Sequence, residues 1–155
     1  MVDRGFVAEN EATRVKLSEF IARLDDSSFK CPVGSGWTIS TSLCHLAFWD
    51  QRVLFFLTEW QRSGQLETLR LSSQTVDSIN QAVNTISQAV PGAVAAKLAL
   101  DSASAVDAQL ATISDELIGQ LVSTGFERYL KRSLHRREHL QKMTEALRVQ
   151  PAGSY

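Results

Sequence analysis

The sequence is poor in the residues that mark several large classes of protein. Its only cysteines, Cys31 and Cys44, are too few for a disulfide framework, which favours a reducing cytoplasmic compartment. No apolar run approaches the roughly 20 residues of a membrane-spanning helix, and the first residues lack a signal-peptide pattern. The formal net charge of -1 gives no bulk attraction to nucleic acid or to an anionic membrane. We therefore expect a cytoplasmic protein that binds neither.

What the sequence does contain is helical patterning. A hydrophobic content of 44% over 155 residues is enough for one core, so we predict a single domain over residues 1–155. Long helices are predicted from a cap at Asn10 to about residue 24, and over about 38–62, 91–114 and 126–148, with a short helix over about 74–89. Residues 65–73 and 115–125 are predicted connections, and 150–155 a loose tail. With no strand pattern, the prediction is an all-α four-helix bundle with one additional short helix.

The chain has three histidines, and their positions suggest a metal site. His135 and His139 are four residues apart, so on a helix their side chains lie about 40° apart and roughly 6 Å along one face. That spacing lets both imidazoles bind one ion. His45 lies near the start of the other strongly helical stretch, and three histidine ligands leave a tetrahedral ion one open position. The alternative is that the pair belongs to a solvated helix face, amid the charged residues between them.

Three neighbours on the face of His45 are candidate substrate-binding residues. Trp49, Arg52 and Phe56 each point within about 40° of the direction of His45 on a helical wheel. They predict a lining beside the metal that is aromatic with one cation. For Trp49 and Phe56 the alternative is simple core packing, and for Arg52 it is solvent exposure.

The last predicted helix presents a conflict. The two histidines lie about 90° or more to one side of its apolar stripe, which consists of Phe126, Leu130, Leu140, Met143 and Leu147. Either the helix is buried on two sides, with the rest of its surface at a subunit contact, or the histidines face solvent and the metal interpretation fails. The first alternative predicts a homodimer. The helix also carries a strip of basic residues, which usually indicates a solvated face and only occasionally an anion site.

Several of these residues resemble a known family. The pattern is similar in order and spacing to the DinB/YfiT-like superfamily, over nearly the whole chain, and rests on Trp37-Thr38, His45-Leu46-Ala47-x-Trp49-Asp50, Ser78-Ile79-Asn80 and His135-x-x-x-His139-Leu140. The resemblance implies a four-helix bundle, often dimeric, that holds a divalent ion at His45, His135 and His139. It also implies thiol-dependent transferase, isomerase or hydrolase chemistry, because members include mycothiol-dependent maleylpyruvate isomerase and bacillithiol transferase.

The chemistry of such a site favours thiols. Three neutral imidazoles leave a zinc or nickel ion its full charge, so it can activate bound water or a small thiol. Asp50 and Glu138 point about 140° and 100° away from the nearest histidine on their helices, so no carboxylate is aimed at the ion and no catalytic residue is assigned. We predict a metal-dependent thiol transferase that acts on small electrophiles with a low-molecular-weight thiol. The alternatives are a metal-dependent hydrolase and a non-enzymatic bundle that binds a ligand or another protein.

Overall fold

The computed structural model describes residues 2–64 and 71–149, and these are mostly helical, which confirms the all-α prediction. The helices are α1 (Gly5–Ile21), α2 (Asp26–Phe29), α3 (Ile39–Ser63), α4 (Ser73–Ser87), α5 (Gly92–Thr112), α6 (Asp115–Ser123), α7 (Glu127–Leu130) and α8 (Arg132–Val149). Two short strands, β1 (Pro32–Gly34) and β2 (Trp37–Thr38), precede α3. No helix in the described ranges is long and apolar enough to cross a membrane. The predicted tail and most of the connection at 65–73 lie outside the described residues.

Four long helices pack around a common interior. α3 contacts α5 and α8, and α1 contacts the same two helices, so the order around the interior is α1, α5, α3, α8. One apolar cluster includes Phe56, Leu57, Val106, Leu110 and Leu117. A second includes Leu17, Ile39, Leu43, Ala95 and Ala99. These clusters hold α3, which carries His45, against α5.

The two ends of α3 follow the local sequence. Thr38 accepts a hydrogen bond from the backbone N–H of Thr41, whose hydroxyl in turn accepts from the N–H of Thr38, which forms a capping box. Gly64, with φ of 66°, ends the helix in the left-handed conformation that glycine adopts without strain. The predicted bounds of this helix, 38 to about 62, are thereby confirmed.

The prediction of no strands is wrong, because the described part of the structure contains one small β-hairpin. β1 and β2 pair antiparallel, with Pro32 opposite Thr38, and the turn between them holds Ser35 and Gly36 at φ of 52° and 80°. Strands of three and two residues are too short to show a period-two pattern. The hairpin places Trp37 directly before the first turn of α3.

The predicted first helix begins too late, because Asn10 is not a cap. α1 begins at Gly5, and the Asn10 side chain is buried against the start of α8. It donates to the carbonyl of Leu130 and accepts from the N–H of Ser133, both at 2.8 Å. These are backbone groups left without helical partners where the chain breaks between α7 and α8 at Lys131 (φ -92°, ψ 65°).

That break also corrects the predicted helix over 126–148. The predicted apolar stripe includes Phe126 and Leu130. Both residues precede α8, so that stripe does not indicate which side of α8 is buried. The prediction of a single additional short helix is likewise an undercount, since α2, α4, α6 and α7 all accompany the four long helices. α6 was predicted to be a connection, but Ser114 caps it by accepting from the N–H of Leu117, and its apolar side buries Leu117, Ile118 and Leu121.

Candidate metal centre

Three histidines from two helices meet at one point. His45 lies near the start of α3, and His135 and His139 lie one turn apart on α8. The Nε2 atoms of His45 and His135 are 3.0 Å apart, and one ring nitrogen from each histidine lies within 4.8 Å of the other two. The ring centroids are separated by 4.5 to 5.0 Å. The structure therefore brings all three predicted ligands together, rather than leaving the α8 pair on a separate solvated face.

Burial keeps the three imidazoles neutral. Loss of hydration, with a smaller contribution from the charge of His139, lowers the pKa of His45 to about 3. Burial, followed by the charge of Lys142, lowers the pKa of His139 to about 4. The pKa of His135 is lowered well below its ordinary value by burial first, and then by the charges of Arg132, His139, His45 and Arg128. At neutral pH each ring therefore has the free lone pair that a metal ligand needs.

The donor set fits a divalent ion. Two nitrogens that bind one zinc at about 2.0–2.1 Å with tetrahedral angles lie roughly 3.3 Å apart, a separation close to that of His45 and His135. Neutral imidazole is a good ligand for zinc and nickel alike. His45, His135 and His139 can therefore hold a metal ion, and three protein ligands leave a tetrahedral ion one open position.

The histidines open onto a cleft of about 790 Å³. Its walls come from the β1–β2 hairpin, α3, α4, α7 and α8. Trp37 stands edge-on to the His45 ring at 5.3 Å between centroids, and Trp49 lies on another side of it at 6.3 Å. The Trp49 Nε1–H donates to Oδ1 of Asn80 at 3.0 Å, which ties α4 to α3. Volume and aromatic lining are those of a small-molecule site.

A buried ion network lies beside the histidines. Asp50 on α3 accepts from Nε of Arg132 at 2.8 Å and from Nη2 of Arg136 at 3.1 Å. Arg136 also donates to both carboxylate oxygens of Asp107 on α5, at 2.8 and 2.9 Å, and to the carbonyl of Asn10 on α1 at 3.2 Å. Arg136 is 0% exposed and Asp50 1%. Pairing and hydrogen bonding on this scale are what buried charges require.

This network explains the conflict over the last helix. The buried residues of α8 are Arg132, Ser133, Arg136 and Met143, so its buried surface is mostly polar. The predicted solvated basic face is therefore wrong at Arg132 and Arg136, because Asp50 and Asp107 supply countercharges inside the fold. Arg132 joins the network to the metal centre, since its Nη2 is 3.3 Å from Nδ1 of His135.

The three candidate substrate-binding residues have different surroundings. Trp49 lines the cleft. Arg52 lies outside the cleft lining, with its guanidinium carbon 5.5 Å from the Trp49 ring centroid and its Nη1 donating to the Tyr129 hydroxyl at 3.1 Å. Phe56 also lies outside it, in an apolar cluster where it packs edge-on against Tyr129. Of the three, Trp49 is the one that lines the cleft, and their role in substrate binding stays a prediction.

No outside likeness adds to this description. No protein-family model matches the chain, and neither a curated protein nor a solved structure matches it significantly. The function has to be inferred from the residues around the histidines.

Sequence reasoning missed several residues of the cleft. In the sequence, Trp37 stands out only as part of the family resemblance, whereas the structure places it in the cleft wall. The missed cations Lys131, Arg132 and Lys142 stand three or four residues from His135 or His139, which is same-face spacing on a helix. The sequence does not single out these cations as cleft residues, because a basic strip is typical of a solvated face.

Proposed function

We propose that the chain is a DinB-like four-helix bundle that holds one divalent ion, zinc or nickel, at His45, His135 and His139. We propose further that it uses the ion to transfer a small thiol to an electrophile. The observation that carries this proposal is the convergence of three neutral imidazoles on an open, aromatic-walled cleft. A divalent ion held in this way lowers the pKa of a thiol at its open position, so that the sulfur is nucleophilic at neutral pH.

The surrounding residues favour a thiol over water as the nucleophile. Asp50 faces Arg132 and Arg136 rather than the cleft, so it is unavailable as a general base. Trp37 and Trp49 offer flat apolar surfaces for an electrophile beside His45. In the reaction the thiol releases its proton to solvent, its sulfur bonds to the electrophilic carbon, and the leaving group departs with the electron pair of the broken bond.

One residue supports a second candidate, a metal-dependent hydrolase. Glu138 lines the cleft, and its hydrogen bond from Lys142 at 2.8 Å holds the pKa of the carboxyl below its usual range. An ionised carboxylate in the cleft can accept a proton from an attacking water. Its pairing with Lys142 weakens that role, which places hydrolysis second.

An activity assay separates these functions. Zinc- or nickel-loaded protein is incubated with 1-chloro-2,4-dinitrobenzene and a thiol, and separately with p-nitrophenyl acetate without thiol. The proposal predicts metal-dependent turnover of the first substrate that is lost in His45→Ala. Ester turnover without thiol, lost in Glu138→Gln, would assign the protein as a hydrolase, and inactivity in both assays would favour the non-enzymatic bundle.

We also propose that the protein is a homodimer. Phe48 and Phe55 lie seven residues apart on one face of α3 and are 37% and 68% exposed. Two large aromatic side chains at this spacing form an apolar surface of the kind that protein contacts cover. Sedimentation at micromolar concentration should give twice the chain mass, and Phe55→Ser should reduce it to the monomer. A monomeric wild-type protein would refute the dimer.

A further inference from the structure

The cleft is cationic although the chain as a whole is not. Four of its lining side chains are positive, Arg128, Lys131, Arg132 and Lys142, and two are negative, Asp77 and Glu138. The formal charge of the whole chain is -1. Positive charge is therefore concentrated at the cleft, where walls of low dielectric strengthen its effect on a ligand.

Most of these cations already have partners. Lys131 pairs with Glu127, Lys142 with Glu138, and Arg132 with Asp50, so each of these three cations has a carboxylate partner within the chain. Among the described residues, the Arg128 guanidinium has neither an ion pair nor a hydrogen bond. It is the lining cation that remains available to a ligand.

Arg128 stands close to the histidines. The Arg132 side chain spans the two positions, because its Nη1 donates to the Arg128 carbonyl at 3.5 Å while its Nη2 lies 3.3 Å from Nδ1 of His135. The guanidinium of Arg132 thus bridges the backbone carbonyl of Arg128 and the Nδ1 atom of His135, a predicted metal ligand. Arg128 and the three histidines also line the same cleft, so one ligand in the cleft can contact both.

The candidate metal centre itself also favours an anionic ligand. Its three candidate ligands are uncharged imidazoles, and Glu138 in the cleft lining and Asp50 in the adjoining ion network are already paired with cations. A bound divalent ion would therefore keep its charge until a ligand brings a negative group.

We infer that the thiol used by this site carries a carboxylate, which Arg128 binds while the sulfur occupies the open metal position. This inference rests on the proposed function and names the class of its co-substrate. The positively charged Arg128 fork binds a carboxylate through two N–H groups, which a neutral or cationic thiol cannot match.

Thiol binding to cobalt-loaded protein tests the inference. Cobalt(II) replaces zinc in histidine sites, and a sulfur that binds it produces a near-ultraviolet absorption band. The protein is titrated with three short thiols that differ in charge: 3-mercaptopropionate, 2-mercaptoethanol and cysteamine. We expect 3-mercaptopropionate to bind roughly tenfold more tightly than 2-mercaptoethanol, the effect of one charged hydrogen-bonded pair, and cysteamine to bind most weakly.

Two variants assign the preference to a residue. In Arg128→Gln the carboxylate preference should fall to about twofold or less, with cobalt content measured to verify the site. Arg137→Gln is the matched control, because Arg137 is an exposed arginine of α8 outside the cleft lining, and it should keep the full preference. Added salt should shrink the preference of the wild-type protein.

The outcomes separate the inference from the proposed function. Equal affinity for all three thiols would overturn the carboxylate inference and leave the metal-thiol function standing. A preference that survives in Arg128→Gln would overturn the role of Arg128. If no thiol changes the cobalt spectrum, the thiol function fails, and the inference fails with it.

Discussion

Two buried polar clusters stand side by side where α3 meets α8, and they differ in whether their partners are complete. Around Arg136, all three guanidinium nitrogens donate to oxygens of Asp50, Asp107 and nearby backbone. Around the histidines, the Nε2 atoms of His45 and His135 lie 3.0 Å apart, so that one ring can donate a hydrogen bond to the other. The buried Nδ1 of His45 has no hydrogen-bond partner within the described part of the chain.

This difference separates a structural cluster from a functional one. A buried polar group without partners lowers stability, so a cluster that is already satisfied contributes to the fold. Neutral imidazoles whose ring nitrogens lie this close together are further stabilised when an ion binds their lone pairs. We therefore propose that the arginine network serves folding and that the histidines serve ligand binding.

The largest expected effect comes from breaking the arginine network. Arg136→Met keeps much of the side-chain volume but leaves Asp50 and Asp107 buried with fewer donors, and should lower the free energy of unfolding by about 3–5 kcal/mol. Arg137→Met, the exposed neighbour, should change it by no more than about 0.5 kcal/mol. Urea denaturation of both variants measures the difference. A loss under about 1 kcal/mol for Arg136→Met would remove the distinction between the clusters.

The next effect is stabilisation by metal. Zinc at a hundredfold excess over its dissociation constant should raise the free energy of unfolding of the wild-type protein by about 2.7 kcal/mol. The same zinc concentration should leave His135→Gln unchanged, because only the native histidine set binds the ion. Equal stabilisation of both proteins would show that zinc binds elsewhere.

Acid is expected to act on the metal-free protein by a smaller amount per pH unit. Unfolded histidines take up protons near their ordinary pKa of 6.5, whereas folded His139 does so only at about 4. The unfolded state therefore binds more protons between these values, and the free energy of unfolding falls as pH falls from about 6.5 to about 4. Each such histidine contributes a slope of at most about 1.4 kcal/mol per pH unit.

Urea midpoints between pH 7 and pH 4 measure this slope. Carboxylates titrate in the lower part of the range, so the useful comparison is with His139→Gln, in which the slope should be shallower. Identical slopes in the two proteins would contradict the assignment of His139 as a buried neutral ring.

The sequence predicted the parts of the molecule that depend on local patterns. The start of α3 at Thr38 and its end at Gly64 follow from capping chemistry that spans three or four residues. The pairing of His135 with His139 follows from helix geometry alone. That they lie near His45 was a hypothesis from the sequence. In the structure, the packing of α3 against α8 brings the three histidines together.

What could not be predicted depends on distant partners. Asparagine is a good helix cap, yet the side chain of Asn10 hydrogen-bonds to backbone groups 120 and 123 residues away. These bonds give partners to the backbone groups that are left without helical partners where the chain breaks before α8. Arginine side chains are usually exposed, yet Arg136 is buried because it forms ion pairs with Asp50 and Asp107. In both cases a tertiary contact outweighs the local preference, and no spacing in a single sequence shows it.

The measurement that tests the account most directly is metal content after dialysis against a weak chelator. Wild-type protein loaded with zinc or nickel and analysed by mass spectrometry should retain one equivalent per chain. His45→Ala, His135→Ala and His139→Ala should each retain less than about a tenth of this amount, while Arg137→Ala keeps the full equivalent. Full retention in folded His135→Ala and His139→Ala would contradict the claim that these histidines form a metal site.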